Sequence, residues 1–171
     1  MGRYAEGDFV RTQLPTQFHA KMVLLVQFAL TWMLVGLIWF VQLVHYPLMS
    51  DVGAESFVKY ETLHREFIGP LVAPLMLAEG LSALLLVVTA KSERGRWKAW
   101  LGIVLLIVIW GSTFFWQVPL HERLMAGFDE AVHAELVHSN WIRTLAWTAR
   151  GVVLFAVVSQ RCEMRHGSGQ S

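Results

Sequence analysis

Four stretches of this chain carry too few polar side chains to fold in water. The clearest is the third, from about Trp100 to Val118, which contains no charged residue. Roughly 20 consecutive apolar residues in a helix cross the hydrocarbon core of a bilayer. Inside that core each backbone N–H and C=O must be satisfied within its own segment, which a helix achieves. The first block runs from about Met22 to Val44, with Gln27, Thr31 and Gln42 as its clearly polar members. The second covers about Phe67 to Ala90 and the fourth about Trp141 to Gln160. Composition agrees, with 55% hydrophobic and 16% charged residues and a mean hydropathy of +0.46. The expected fold is an all-α membrane protein, a four-transmembrane-helix bundle.

Several function classes drop out early. A net charge of +1 gives no basis for nucleic-acid binding. The single cysteine, Cys162, rules out an intramolecular disulfide and a thiolate metal cluster. Residues 1–20 are polar, read as a tail, and Pro15 argues against a long helix there. The first apolar run is too long for a signal-peptide core, so it reads as a signal anchor.

Charge distribution sets the expected topology. Arg3, Arg11, Lys21, Lys91, Arg94, Arg96, Lys98, Arg161 and Arg165 lie in the two tails and the KSERGRWK loop. The two other connections hold Lys59, Arg65, Arg123 and Arg143. The positive-inside rule then places both termini in the cytoplasm, in a chain of bacterial inner-membrane style. The division expected is a tail over 1–20, a four-span membrane domain over 21–160 and a polar, disordered tail over 161–171. Trp97 and Trp100 mark the inner interface, and Trp39, Trp116 and Trp141 the outer one. Trp32, Trp110 and Trp147 lie deeper and read as packing.

The connections on the outer side carry the chemistry. The first span ends at His45-Tyr46-Pro47, where the proline disfavours helix for the residue before it. Ser50 or Asp51 is the expected cap of a helix bearing Phe57, Tyr60, Leu63, His64 and Phe67 at helical spacing. That helix runs on into the second span, with Pro70 and Pro74 bending it. The stretch from Trp39 to Phe67 shares its plan with Phe114 to Arg143. Gln42 answers to Gln117, His45 to His121, Glu61 to Glu135 and His64 to His138, at an offset of about 75 residues. This reads as an internal duplication. Repeat one is about 22–90 and repeat two about 97–160. They form two parallel-repeat helical hairpins with extramembrane helical extensions, related by an axis along the membrane normal.

Glu61-x-x-His64 and Glu135-x-x-His138 each put a carboxylate and an imidazole on one helical face. Dinuclear carboxylate sites in four-helix bundles use two such pairs plus acids from the remaining helices. His45, Glu61, His64, His121, Glu135 and His138 are therefore the candidate metal ligands, with Gln42 and Gln117 close by. Imidazole with carboxylate suits Fe, Cu, Zn or Mn. A haem is the other cofactor this set allows. Glu130-x-x-His133 is a third copy, which shows how readily the pattern arises. The plainer account is that these residues cap and pair at the interface, or shape a pocket for a quinone, lipid or small solute.

Glu79 and Arg150 fall inside spans, where an ionisable side chain costs about 2.5–3.5 kcal/mol on insertion scales. They are expected to pair, or Glu79 to be protonated. Arg143 lies two turns before Arg150 on the same face, placed for an anionic substrate group or for lipid headgroups. Glu79, Arg143 and Arg150 are thus candidates for proton handling or for support of the site.

At VQLVHYPLM, APLMLAEG, STFFWQVPLHERL, GFD and NWIRTLAWTARG the chain resembles a group of uncharacterised bacterial four-span integral membrane proteins, from about Met22 to Gly151. More distantly it is similar to the DUF1772 set, grouped with anthrone oxygenases. That likeness rests on Pro119, His121 and Glu122 after the third span and on Asn140 and Arg143 at the start of the fourth. Two functional expectations follow. One is a membrane oxidoreductase or metal- or haem-binding protein with its site at the outer mouth, its catalytic residues unassigned. The other is a non-enzymatic membrane subunit or small-solute or quinone-binding protein, in which the same residues are structural. The second, as a carrier, calls for a homo-oligomer.

Overall fold

The computed structural model describes residues 4–90 and 92–167, with side chains over 18–90, 92–93 and 95–160. Cys162 and six basic residues of the topology argument (Arg3, Arg11, Lys91, Arg94, Arg161 and Arg165) lie outside the described side chains. Four helices are long and apolar enough to cross a membrane, over Phe18–Met49, Ala54–Thr89, Gly95–Leu124 and Glu130–Gln160. Among the described residues there is no strand. The chain is an integral membrane bundle of α-helices.

Helix α1 (Tyr4–Phe40) passes into a π-helical turn, Val41–His45, and then into the short α2 (Tyr46–Met49). Helix α3 (Ala54–Thr89) returns, and α4 (Glu93–Ser112) crosses again. A second π turn, Thr113–Gln117, leads into α5 (Val118–Leu124), and α6 (Glu130–Gly167) closes the bundle. Each long helix packs on its sequence neighbours, and α6 packs back on α1. The start of α1, the end of α6 and the facing ends of α3 and α4 therefore share one end; α2, α5 and the starts of α3 and α6 share the other, called here the distal end.

The prolines do not stop the first and third spans, as Pro47 had suggested. A proline lacks an N–H and its ring clashes with the carbonyl four residues back. Widening the preceding turn to π geometry accommodates both, and the helical path continues. Tyr46 donates its N–H to the Val41 carbonyl, and Val118 donates to that of Thr113, each immediately before a proline. The two π turns are a structural signature of the repeat. They match Pro47 with Pro119, and hence His45 with Gln117 and Met49 with His121, correcting the pairing of His45 with His121.

Local signals explain the other helix ends. Gly53 (φ 83°) and Gly127 (φ 143°) turn the chain at the distal end, in conformations that favour glycine. Gly53, rather than Asp51 or Ser50, is the cap of α3; the Ser50 hydroxyl donates to the Pro47 carbonyl at 2.7 Å. Ser92 caps α4, accepting from the Gly95 N–H at 3.1 Å. Both terminal helices exceed the expected spans. Helix α1 begins at Tyr4, ahead of Met22 and through Pro15, and α6 runs to Gly167 where disorder was expected. Extending a helix already anchored in a bundle needs no new nucleus, so even weakly apolar flanks join it.

Packing is inverted relative to a water-soluble bundle. Leu25, Leu43, Phe67, Leu81, Val88, Ile107, Phe115 and Phe155 are exposed on the flanks, while Gln27, Thr31, Glu79 and Arg150 are buried. The polar residues make one network. Glu79 Oε1 accepts from Thr31 Oγ1 at 2.7 Å and from Arg150 Nε at 3.1 Å, and Oε2 accepts from Trp147 Nε1 at 3.1 Å. Gln27 donates to Thr31 at 3.1 Å and accepts from Ser82 at 2.5 Å. Arg150 also donates to the Gly102 carbonyl. All four long helices meet here. Close approach of α6 to α1 depends on Gly151, where an added Cβ would lie 3.3 Å from the Trp32 ring.

Glu79→Gln strips Arg150 of its counter-charge, and breaking one side of a buried pair costs about 3–5 kcal/mol. Its melting temperature in detergent is expected to fall well below wild type, and the double variant Glu79→Leu/Arg150→Leu to recover part of the loss. An unchanged Glu79→Gln melt would contradict the pairing.

Candidate functional site

At the distal end the two repeats meet around Tyr46 and His121. Glu61 and His64, three apart on α3, share its inner face as their spacing requires. His121 arrives opposite them on α5. Its Nδ1 lies 2.5 Å from Glu61 Oε1, and its Nε2 lies 3.0 Å from the Tyr46 hydroxyl. With Glu61 ionised, His121 donates through Nδ1 to the carboxylate and accepts at Nε2 from the phenol. Tyrosine, imidazole and carboxylate thus form one line. A proton leaving the phenol has His121 to receive it, and Glu61 to compensate the imidazolium, which is the logic of a general acid–base relay.

Two further histidines flank the line. His45 Nε2 lies 3.1 Å from His64 Nδ1, and the His64 and His121 ring centroids are 5.2 Å apart. Tyr60 stacks on His64 with ring planes 10° apart. His133, whose Glu-x-x-His context carried no weight in the sequence, is buried with Nε2 2.8 Å from the Tyr46 carbonyl. That carbonyl belongs to the last turn of a four-residue helix, where such groups lack an intrahelical partner. His133 therefore fixes α2, and with it Tyr46, against α6.

The six expected ligands do not converge. His45, Glu61, His64 and His121 come together, but His138 is exposed and Glu135 is exposed beside Arg123 at 3.8 Å. Helix phase is the reason. Helix α3 starts at Ala54, seven places before Glu61, whereas α6 starts at Glu130, five places before Glu135. At 3.6 residues per turn, a difference of two places rotates a side chain by roughly 200°. Helix α6 presents Leu136, Asn140, Arg143, Thr144 and Trp147 to the interior instead. Among the described residues no group of three or more His, Cys, Asp or Glu side chains is arranged to hold a metal ion.

The glutamines have a structural task. Gln42 donates to the Val137 carbonyl at 3.1 Å and accepts from Asn140 Nδ2 at 2.9 Å. Gln117 donates to Ser139 Oγ at 3.0 Å. Both repeats thus grip the same stretch of α6. Glu79 and Arg150 belong to the network deeper in the bundle, apart from this line.

A cavity of about 460 Å³ adjoins the Tyr46–His121 pair, between α1, α3, the second π turn and α6. Leu34, Ile38, Ile68, Val72, Met76 and Trp110 give it an apolar body. Tyr46, His64, Gln117, His121 and Arg143 gather its polar atoms, and Arg65 also reaches it. Buried atoms of three lining residues have no hydrogen-bond partner, Trp110 Nε1, Gln117 Oε1 and Arg143 Nε, and neither does Glu61 Oε2 beside them. Gly69, Leu77 and Phe114 line the cavity and are also exposed on the flank. The cavity therefore opens sideways, between α3 and the second π turn.

In the sequence Tyr46 is a residue ahead of a proline and no more. Its buried phenol is seen once the π turn is known to aim it inward. Gln27 and Thr31 were visible, one turn apart and facing the same way, and matched the equally buried Glu79 and Ser82; that complementarity was the available signal.

Glu61→Ala leaves the His121 N–H without its acceptor and is expected to lower stability by about 1–3 kcal/mol. Glu135→Ala and His138→Ala, both on the exposed side, are expected to stay within about 0.5 kcal/mol of wild type. Thermal melts of the three variants in one detergent check this; equal losses in all three would contradict the split.

No known protein family, curated protein or solved structure matches this chain, so the chemistry of the site is read from its own geometry.

Proposed function

We propose that this is a membrane protein that binds one small lipophilic molecule, admitted sideways from the bilayer and met by the Tyr46–His121–Glu61 line. The observation that carries the reading is the cavity itself: its volume lies in the range used by small-molecule sites, with an apolar body and a few polar groups brought together. Quinones and other flat or chain-like lipophiles fall in this class. A hydroxyl of the bound molecule placed at Tyr46 would meet the phenol oxygen as an acceptor whose own proton is held toward His121 and Glu61, so removal of a proton from the bound molecule is open to the site. The setting we propose is a bacterial inner membrane with both termini cytoplasmic and the distal end on the outer face, an orientation supported by the Lys and Arg count of the connections.

A metal reading has a narrower basis. His45 and His64 hold two ring nitrogens 3.1 Å apart. Two imidazoles on a tetrahedral zinc, at about 2.0–2.1 Å each, would hold theirs at about 3.3 Å. A third ligand is harder to find, since both His121 nitrogens are engaged. Zinc or copper retained after dialysis by wild type and lost by His64→Ala would favour this reading; background metal in both would remove it.

The lipophile reading is tested by native mass spectrometry of protein released from detergent micelles. Wild type is expected to carry a single small-molecule adduct. Ala73→Trp, a bulky side chain at an exposed lining position on the open side of the cavity, is expected to obstruct entry and so lack it while melting near wild type. Wild-type protein free of any adduct under gentle release would count against the proposal.

A further inference from the structure

The cavity has a charge bias that its apolar body conceals. Two of its lining residues, Arg65 and Arg143, are cationic, and none is Asp or Glu. The acid nearest the polar end, Glu61, is committed to His121 and does not line the space. Arg143 is the residue that stands out. It is buried, 9% exposed, and its Nε has no hydrogen-bond partner. Its guanidinium carbon sits 5.5 Å from the centroid of the Trp147 ring. Among the described residues no carboxylate forms an ion pair with it.

The contrast with Arg150 is instructive. Both arginines are buried on α6, two turns apart. Arg150 has Glu79 at 3.1 Å. Arg143 has an aromatic face and the Tyr46 hydroxyl as its electrostatic and side-chain hydrogen-bonding neighbour, but no carboxylate. A buried cation is normally matched by an anion or by carbonyl oxygens. Here the open side of the arginine is the cavity, so the matching anion is expected to come from the ligand.

We propose that the ligand is a single-chain amphiphile with an anionic head, the head paired with Arg143 beside the Tyr46 hydroxyl. The chain lies along Leu34, Ile68, Val72 and Met76 and leaves toward the bilayer between Gly69 and Phe114. A guanidinium fork takes a carboxylate or a phosphate through two parallel hydrogen bonds. The lateral opening lets the tail stay in lipid while the head is withdrawn from it. This identification rests on the lipophile reading above and narrows it.

The test is equilibrium binding to the full chain in nanodiscs of zwitterionic lipid, with palmitate, a sixteen-carbon lysophosphatidate and hexadecanol as probes. The anionic probes are expected to bind saturably and at least about tenfold more tightly than hexadecanol, a factor typical of a lost charge-assisted contact. Preference for palmitate assigns the head as carboxylate, and preference for lysophosphatidate assigns it as phosphate. Arg143→Gln is expected to abolish the preference of the protein for the anionic probes over hexadecanol. Arg143→Lys, which keeps the charge but not the two-pronged contact, is expected to retain part of the preference and controls for folding. Equal binding of all three probes to wild type, blocked by Ala73→Trp, would overturn the anionic head and leave the lipophile reading standing. No saturable binding of any probe would overturn this proposal, and an adduct still seen by native mass spectrometry would then preserve the broader reading.

Discussion

One carboxylate, fully buried among the four spans, ties this bundle together. Glu79 receives hydrogen bonds from α1 and α6, and Arg150 extends the same network to α4. Lipid supplies no hydrophobic drive to associate helices, because tails are as apolar as leucine side chains. Packing and polar contacts must then set which helix meets which and at what height. A carboxylate with three donors, each on a defined turn, does so in a way that an apolar seam cannot. Sliding α6 by one turn would leave Arg150 and Glu79 unpaired at a depth where water is absent.

That fixed register is what makes the distal site possible. Above the network the helices part, and the two π turns redirect the chain where α1 and α4 would otherwise continue straight. The extra residue in a π turn shifts the phase of everything beyond it. It swings Tyr46 inward in one repeat and positions α5 so that His121 points inward in the other. His133 and the two glutamines then hold these pieces against α6. The cavity lies between a rigid lower network and a pinned upper rim, and its side wall toward lipid is the part left open.

Much of this was legible in the sequence, for identifiable reasons. Apolar blocks of bilayer length forced the four helices, and the insertion cost of Glu79 and Arg150 forced them to find each other. Glu61 and His64 were correctly placed on one face, because spacing within a single helix is local information. Equivalence between the repeats was harder. Sequence matched His45 to His121 and Glu61 to Glu135 by residue type, whereas the prolines and helix starts set a different phase. Two places of slip in where α6 begins turned Glu135 and His138 out to the surface. Tyr46 was missed because a π turn has no residue signature of its own, and a tyrosine before a proline looks like an ending.

The sideways mouth has a consequence for how the protein meets whatever it binds. A visitor that arrives through lipid is counted per unit of membrane rather than per volume of water. Its apparent dissociation constant, measured in suspension, would then scale with the amount of bilayer present, since partitioning precedes capture. Strongly lipophilic visitors would reach half-saturation at a fixed mole fraction of lipid, whatever their aqueous solubility. For a chain of this kind the membrane serves as the reservoir from which it is loaded.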